Sequence, residues 1–392
     1  MAKAIAKRTL LGFRECKFNA RYFDDLNNQF ENKVNHIINK ISKPSYWKIK
    51  GVDKMKFNAI VGNPPYQEMD GGAGASAKNI YPHFVNVSKK LRPDYISLIM
   101  PARWYSAGKG LDEFRHDMIH DKHIIKLFDY MDSKDIFPTV EIKGGICYFL
   151  RSEKEEKPCE IVYHSEEGIQ YSTRYLHDLG EIYVRDERII SIAHKVLDND
   201  FESFDTIVSK SRPYGLRGDF FKDPNKYNLP EIFDDKRNSS DLTIIGRENN
   251  QRTLKYIPQD YPLPQKEGLD KYKLFVNRTY GNGKLGQDNR PTPLIGKPGE
   301  LCTETFLQIG PFETETETKN ALKYMETKLF KLLVGINKTT QDAPKRVYGF
   351  VPMQDLTERS DIDWNGHVSE QLYEKYDLSP EEQEFIEKLI VK

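Results

Sequence analysis

The stretch FNAIVGNPPYQEMDGG, residues 57–72, decides how the rest of the chain is read. Residues 57–61 form a short apolar run of strand character, and Pro64-Pro65 stop it. Proline has no N–H and a fixed φ, so the pair cannot continue a sheet and forces a rigid extended turn at the strand's C-terminal end. Working outward, residues 81–91 read as a helix with Phe84, Val85, Val87 and Leu91 on its buried side. A second strand at 95–100 is closed by Pro101, residues 110–121 are amphipathic, and 124–130 and 145–150 supply two more strands. Strands separated by helices of this length predict an α/β unit with a largely parallel sheet.

Upstream, Phe23, Leu26, Phe30, Val34, Ile37, Ile38 and Ile41 recur at spacings of three and four, which predicts a helix with one apolar stripe, ended at Pro44. Downstream the texture changes near residue 155. Residues 156–205 read as a connecting region with one helix at 186–197. Residues 206–392 read as an irregular α+β domain of short strands, prolines and turns. It contains a helix at 316–334 with Leu322, Tyr324, Met325, Leu329, Leu332 and Leu333 on one side. No internal repeat stands out.

The 392 residues are 38% apolar and 12% aromatic, enough to bury ordinary cores. No apolar run approaches the roughly 18 to 20 residues of a membrane span. The first residues lack a signal-peptide core, so a cytoplasmic location is expected. Cys16, Cys147, Cys159 and Cys302 are scattered without a C-x-x-C pair or a neighbouring histidine cluster, so neither a disulfide framework nor a metal site is expected. Basic and acidic residues balance at 59 each, which removes any global electrostatic case for nucleic acid. The charge is unevenly placed: residues 207–300 hold 17 Lys and Arg against 12 Asp and Glu, and residues 352–392 hold 4 against 11. That segregation suits a polyanion-facing surface with an acidic tail, and equally a solvated face.

The corner at 63–66 carries the most specific chemistry. Open α/β sheets place ligands at the carboxyl ends of their strands. There the two imide nitrogens donate nothing, Asn63 adds a side-chain carbonyl, and Tyr66 adds a flat face with a polar tip. Rigid acceptors beside an aromatic ring suit an exocyclic amino group on a planar base.

NPPY after an apolar strand is followed in order by KNIYPHFVNVSKKL, YISLIMPARWYSAGKGLDEFRHDMI, IIKLFDY and FPTVEIKGGICYFL. The series resembles the N6-adenine DNA methyltransferases of restriction-modification systems, of the gamma type and including type IIG-like proteins that fuse methylase and nuclease. Resemblance is strong over residues 55–150. Beyond it, YKLFVNRTYG, CTETFLQIGPF and VYGFVPMQDL look like the target recognition domain of the same proteins. The resemblance implies a partial Rossmann-like methyltransferase sheet within residues 1–155 and a target recognition domain within 206–392. It implies site-specific methyl transfer from S-adenosylmethionine to a flipped adenine in double-stranded DNA. Asn63, Pro64, Pro65 and Tyr66 would form the catalytic corner, with Asn63 and the Pro64 carbonyl accepting from the target amino group and Tyr66 stacking on the base. Asn63 and Phe84 would touch the methyl donor, and Phe149 would offer a second face to the target base.

One part of the family pattern is not found. Members carry a glycine-rich donor-binding turn upstream of NPPY, whereas Gly12 and Gly51 stand isolated among the 62 residues before Asn63. A β-α-β pocket needs glycine for close backbone approach. Weak donor binding by this chain alone is therefore expected, with a second chain carrying the donor-binding half, or a restriction subunit, as a partner. A G-x-G-x-x-G at 281–286 is followed by Pro291 and Pro293, which interrupt the helix a dinucleotide fingerprint requires, so it reads as a loop approaching the DNA backbone. Arg212, Arg217, Arg247, Arg252, Arg278, Lys284 and Arg290, interleaved with Tyr214, Tyr256 and Tyr280, are the DNA-binding candidates. Two other classes remain open. One is a catalytically incomplete DNA-binding specificity subunit or fragment. The other is a metal-dependent nuclease, in which Asp135 and Glu141-Ile142-Lys143 mimic D…E-x-K.

Overall fold

The computed structural model describes residues 34–390, apart from 54, 69–77, 106–109, 198–200, 282, 284 and 287–290. It divides into two compact units, Met1–Arg185 and Asp186–Lys392. The division falls inside the expected connecting region, with the strands before it belonging to the first unit and the helix after it to the second.

Helix α1 (Val34–Ile41) buries Ile37 against Val87, with Phe84 and Leu91 partly buried beside them. The rest of its expected stripe, Phe23, Leu26 and Phe30, lies outside the described residues. Then follow β1 (Ala59–Gly62), β2 (Gln67–Glu68), β3 (Lys78–Asn79), α2 (Tyr81–Lys90), β4 (Tyr95–Pro101), α3 (Asp112–Ile119), β5 (Ile124–Tyr130), β6 (Ile146–Ser152), β7 (Cys159–Ser165) and β8 (Gly168–Arg174). Strands β2 and β3 pair with each other, and the other six form one sheet in the order β1-β4-β6-β5-β7-β8.

This is the expected α/β architecture, but the sheet is mixed and not largely parallel. Only β1–β4 and β5–β7 are parallel, while β4–β6, β5–β6 and β7–β8 are antiparallel. The cause is the link between β5 and β6, which holds no α-helix, so β6 returns antiparallel and lies between β4 and β5. Gly145 makes that return possible. Its φ is +83°, and a Cβ there would sit 2.1 Å from the Tyr130 carbonyl oxygen.

The two faces of the sheet differ. Met100, Leu127, Phe149 and Ile161 share one core with Val85 of α2 and Phe114 and Met118 of α3. On the other face the side chains are half-exposed, and aromatic rings stack across strands: Phe128 on Tyr148 at 4.6 Å and Tyr130 on His164 at 4.1 Å. Among the described residues β1 pairs on one side only, and Val61 is 77% exposed there.

The second unit opens with α4 (Glu187–Val196). It continues with β9 (Leu242–Glu248), β10 (Gln251–Ile257), β11 (Tyr272–Asn277), β12 (Leu294–Gly296), β13 (Glu300–Cys302) and β14 (Phe306–Phe312). It ends with α5 (Glu315–Glu326), α6 (Lys328–Asn337), α7 (Val368–Lys375) and α8 (Pro380–Leu389). Its strands form two three-stranded sheets, β10-β9-β13 and β12-β11-β14. Asn249 and Asn250, with φ of 49° and 62°, make the two-residue turn joining β9 to β10. The expected helix at 316–334 is two helices, because Thr327 adopts an extended backbone and its hydroxyl caps α6 by accepting from the Phe330 N–H.

Candidate functional site

The site is built where β1 ends. Strand β1 runs beside β4 in register from Ala59 against Tyr95 to Gly62 against Leu98. After Gly62 the chain turns: Asn63 is exposed, Pro64 buried, Pro65 exposed and Tyr66 half-buried. The Tyr66 carbonyl accepts from the Ile80 N–H at 3.1 Å, which ties the corner to the start of α2. Pro64 is thus an anchor inside the fold, and Asn63 and Pro65 flank it at the surface. Neither proline has an N–H to offer, so the exposed polar groups of the Asn-Pro-Pro segment are acceptors, apart from the Asn63 amide NH₂ and main-chain N–H.

Behind the corner lies an aromatic cluster that the sequence reading did not single out. Tyr81 is fully buried and packs edge-on against Phe114 at 5.7 Å; Trp104 and Tyr105, just beyond β4, sit 4.5 Å apart. Trp104 Nε1 donates to Cys147 Sγ at 3.4 Å. The signal was present as Trp104-Tyr105, three residues after the proline that closes β4, at the same end of the sheet as Asn63. The Tyr66 hydroxyl is buried with no hydrogen-bond partner, and burial, with the Cys147 thiol adding to it, pushes its pKa up to about 12. It therefore stays un-ionised with an unmet hydrogen bond, a local cost of about 1–3 kcal/mol. The Cys147 thiol is itself pushed up to about 12, by burial first and the Asp129 carboxylate second, so it is a packing group and not a nucleophile.

Asp129 and Arg185 brace this end of the sheet. Arg185 Nε lies 2.8 Å from Asp129 Oδ2, its Nη2 donates to the Gly144 carbonyl at 2.6 Å, and its guanidinium sits over the Tyr105 ring at 4.9 Å.

Other expected site residues are placed differently. Phe84 is turned toward Ile37 and Val87 in the apolar cluster with α1. Phe149 is 0% exposed, in register between Leu98 and Leu127 at the centre of the sheet. Its ring presents no open face to a base here, because it points inward from a central strand. Asp135, Glu141 and Lys143 are exposed, and the nuclease-like pair is not part of any grouping of three or more ligand side chains among the described residues.

The basic candidates of the second unit also separate. Arg212 is held by Glu304 at 2.6 Å, and Arg278 by Asp342 at 3.0 Å and the Ser211 hydroxyl at 2.6 Å. Tyr214 is a core residue whose hydroxyl donates to Gln308 Oε1 at 2.5 Å. Arg217 is exposed beside the Tyr227 ring. Arg247 and Arg252 are exposed and directly opposite each other across β9 and β10, an unfavourable like-charge pair in isolation. Lys284 and Arg290 lie outside the described residues. The G-x-G-x-x-G is spent on the chain itself: a Cβ at Gly283 would meet the Thr340 nitrogen at 2.4 Å, and one at Gly286 the Leu389 carbonyl at 2.6 Å. Close packing of backbone on backbone explains those glycines without a phosphate.

Among the described residues no helix is long and apolar enough to cross a membrane. Cys147, Cys159 and Cys302 are free and buried.

Comparison with known proteins gives the family context. Residues 1–137 match the model of the Eco57I restriction-modification methylases. A protein of Mycoplasma pneumoniae (strain ATCC 29342 / M129 / Subtype 1), described as an uncharacterized adenine-specific methylase, is 42% identical over 99 residues, which is 24% of this chain and 24% of that protein. The solved structure of the type IIG restriction endonuclease BpuSI aligns with 92% of this chain and 48% of its own, at 13% identity and a TM-score of 0.34. The type IIL restriction-modification enzyme MmeI, solved in complex with DNA, aligns with 84% of this chain and 53% of its own, at 8% identity and a TM-score of 0.37. The match to the curated relative spans about a quarter of that protein's length, and the alignments span about half of the solved enzymes. Over residues 1–137 the chain is similar to the Eco57I restriction-modification methylases, and over 99 residues to a protein described as an uncharacterized adenine-specific methylase.

Proposed function

We propose that this chain serves adenine-N6 methylation of double-stranded DNA in a restriction-modification system, with Asn63-Pro64-Pro65-Tyr66 holding the amino group that is methylated. The observation that carries this reading is the corner itself: an exposed Asn63 and two donor-less prolines at the carboxyl end of a strand, anchored by buried Pro64. Asn63 Oδ1 and the Pro64 carbonyl would accept the two N–H hydrogens of the amine. That holds its nitrogen lone pair out of conjugation with the ring and pointed toward an electrophile. A base reaches such a corner only when flipped out of the duplex, and the Tyr66 ring supplies a flat face for it.

S-adenosylmethionine is the donor the family implies, and when bound it supplies the electrophilic methyl group. Of the two residues expected to touch it, Asn63 is accessible and Phe84 is occupied by the cluster with α1, so the fit rests on Asn63 alone.

DNA contact is assigned to the basic segment of the second unit, above all to Arg247 and Arg252. Phosphate oxygens would relieve the repulsion between their facing guanidinium groups. A second reading, a DNA-binding specificity subunit without transfer activity, is favoured by the position of Phe84. One experiment separates the two: incubate the full chain with labelled S-adenosylmethionine and double-stranded DNA, and measure both bound DNA and label in adenine. Label in N6-methyladenine supports the first reading; DNA binding without label supports the second; neither result refutes both.

A further inference from the structure

We propose that His116, His120 and Glu181 form a binding site for a late first-row divalent metal ion, with zinc(II) as its representative, independent of the methylase reading. The histidines are one turn apart in the segment HDMIH, at the end of α3 and just beyond it, so their rings emerge on the same side with centroids 4.3 Å apart. Glu181 comes from a different part of the chain, the turn after β8 in which Leu179 bridges to Ile182 and Gly180 has a φ of 72°. Glu181 Oε1 lies 3.2 Å from His116 Nδ1 and 3.7 Å from His120 Nε2, and Oε2 lies 2.9 Å from His116 Nδ1. The three ligand atoms fall within 4.8 Å of one another.

The hydrogen bonds around the cluster decide which imidazole nitrogen is turned toward the carboxylate. His120 Nδ1 is 3.0 Å from the His116 carbonyl oxygen, which can only accept, so the N–H is on Nδ1. In the neutral ring Nε2 then presents its lone pair to a carboxylate oxygen. Two acceptors facing each other repel unless a proton or a metal cation lies between them, and the pair is therefore a ready receptor for either. A tetrahedral ion with metal–nitrogen and metal–oxygen bonds of about 2.0–2.2 Å needs its ligand atoms about 3.4 Å apart, and the separations of 3.2 and 3.7 Å from Glu181 Oε1 to the two imidazole nitrogens bracket that spacing. Small rotations of exposed side chains suffice to reach it.

Supporting contacts of the kind that orient metal ligands are also in place. His120 is fixed by the backbone carbonyl just described. His177 stacks on its ring at 5.0 Å with an interplanar angle of 13°, and His177 Nδ1 is held by the Ile119 carbonyl at 3.2 Å. Arg115 Nε donates to the Glu181 main-chain oxygen at 3.0 Å and fixes the turn, while Asp112 Oδ1 takes the Arg115 charge at 3.0 Å. Two imidazoles and one carboxylate favour zinc-class ions over magnesium or calcium, which require oxygen ligands. All three ligands are exposed, leaving a fourth position for water or an external ligand. A bound ion would cross-link α3 to the turn at 176–182.

The test uses the full chain freed of metal with a chelator, then titrated with zinc(II) by calorimetry and with cobalt(II) by visible absorption. One equivalent should bind, with cobalt(II) giving the intense bands of a four-coordinate site, and millimolar magnesium should not compete. The double variant His116→Ala/His120→Ala should weaken zinc binding by at least about 100-fold. Glu181→Gln, which keeps the side-chain shape, should weaken it by about tenfold, both variants retaining the wild-type circular dichroism spectrum. No binding by the wild type, or equal affinity in the wild type and the double variant, overturns the proposal.

Discussion

The corner at 63–66 and the basic segment 207–300 both suggest contact with DNA, yet the fold treats them in opposite ways. At the corner it leaves the reactive-looking group outside: Asn63 is exposed on a turn whose neighbour Pro64 is buried. In the basic segment it engages two of the five described arginine candidates in ion pairs, Arg212 on Glu304 and Arg278 on Asp342, and packs Gly283 and Gly286 against backbone. Position at the end of a sheet strand is dictated by local sequence, so a short rigid motif keeps its meaning. The role of an arginine depends on which carboxylate comes near it, and that is set by residues tens of positions away.

The same contrast extends to buried charge, and it can be broken by mutation. In the first unit Asp129 is fully buried and answered by Arg185. Arg185→Met strands that carboxylate and should destabilise the protein by about 3–5 kcal/mol, read from the denaturation midpoint, with Asp129→Asn recovering much of the loss. A cost below about 1 kcal/mol would mean the pair is not what braces this end of the sheet.

In the second unit Lys273 is fully buried without a carboxylate partner in hydrogen-bond contact; its ammonium donates to the Gly268 and Leu269 carbonyls at 2.8 and 3.1 Å. Burial lowers its pKa from 10.5 to about 8, against a smaller opposing pull from Glu300. The unfolded chain keeps this proton up to about pH 10.5, so between pH 8 and 10.5 it binds more protons than the folded one and stability rises with pH. Relative to Lys273→Met the rise should total about 3 kcal/mol, and a flat difference over that window would refute the assignment.

The smallest expected effect sorts the arginines. Replacing Arg247 and Arg252 by glutamine should lower the slope of log DNA affinity against log salt by about 2, whereas replacing Arg212 and Arg278 should leave it nearly unchanged. Equal changes in both double variants would erase the contrast between the ion-paired guanidinium groups of Arg212 and Arg278 and those of Arg247 and Arg252, of which Arg252 sits over the Phe306 ring at 5.8 Å.

Much of the first unit was legible. Alternating burial along β4, β5 and β6 and three- and four-residue spacing in α2 and α3 come from the periods of strand and helix, so residues 81–130 read almost as they fold. The antiparallel insertion of β6 was not legible, because chain order does not say on which side of a neighbour a strand returns. Strands β7 and β8 were read as a connection because the change in texture near 155 is a change in connection length, while the sheet runs on to Arg174. Phe149 and Phe84 showed apolar character, which says buried but not against what. The His116, His120 and Glu181 cluster escaped because the carboxylate is more than sixty residues from the histidines and arrives only through the turn after β8. In the second unit, α8 carried a readable start in Ser379-Pro380-Glu381-Glu382, a capping box, that the apolar pattern alone did not expose.

The central claim is that Asn63 grips the amine to be methylated. Its most direct test compares wild type with Asn63→Ala for single-turnover transfer of labelled methyl from S-adenosylmethionine to double-stranded DNA, with DNA affinity measured alongside. The account predicts a fall in transfer rate of about 10²–10³-fold at unchanged DNA affinity; an Asn63→Ala protein that methylates at the wild-type rate would contradict it.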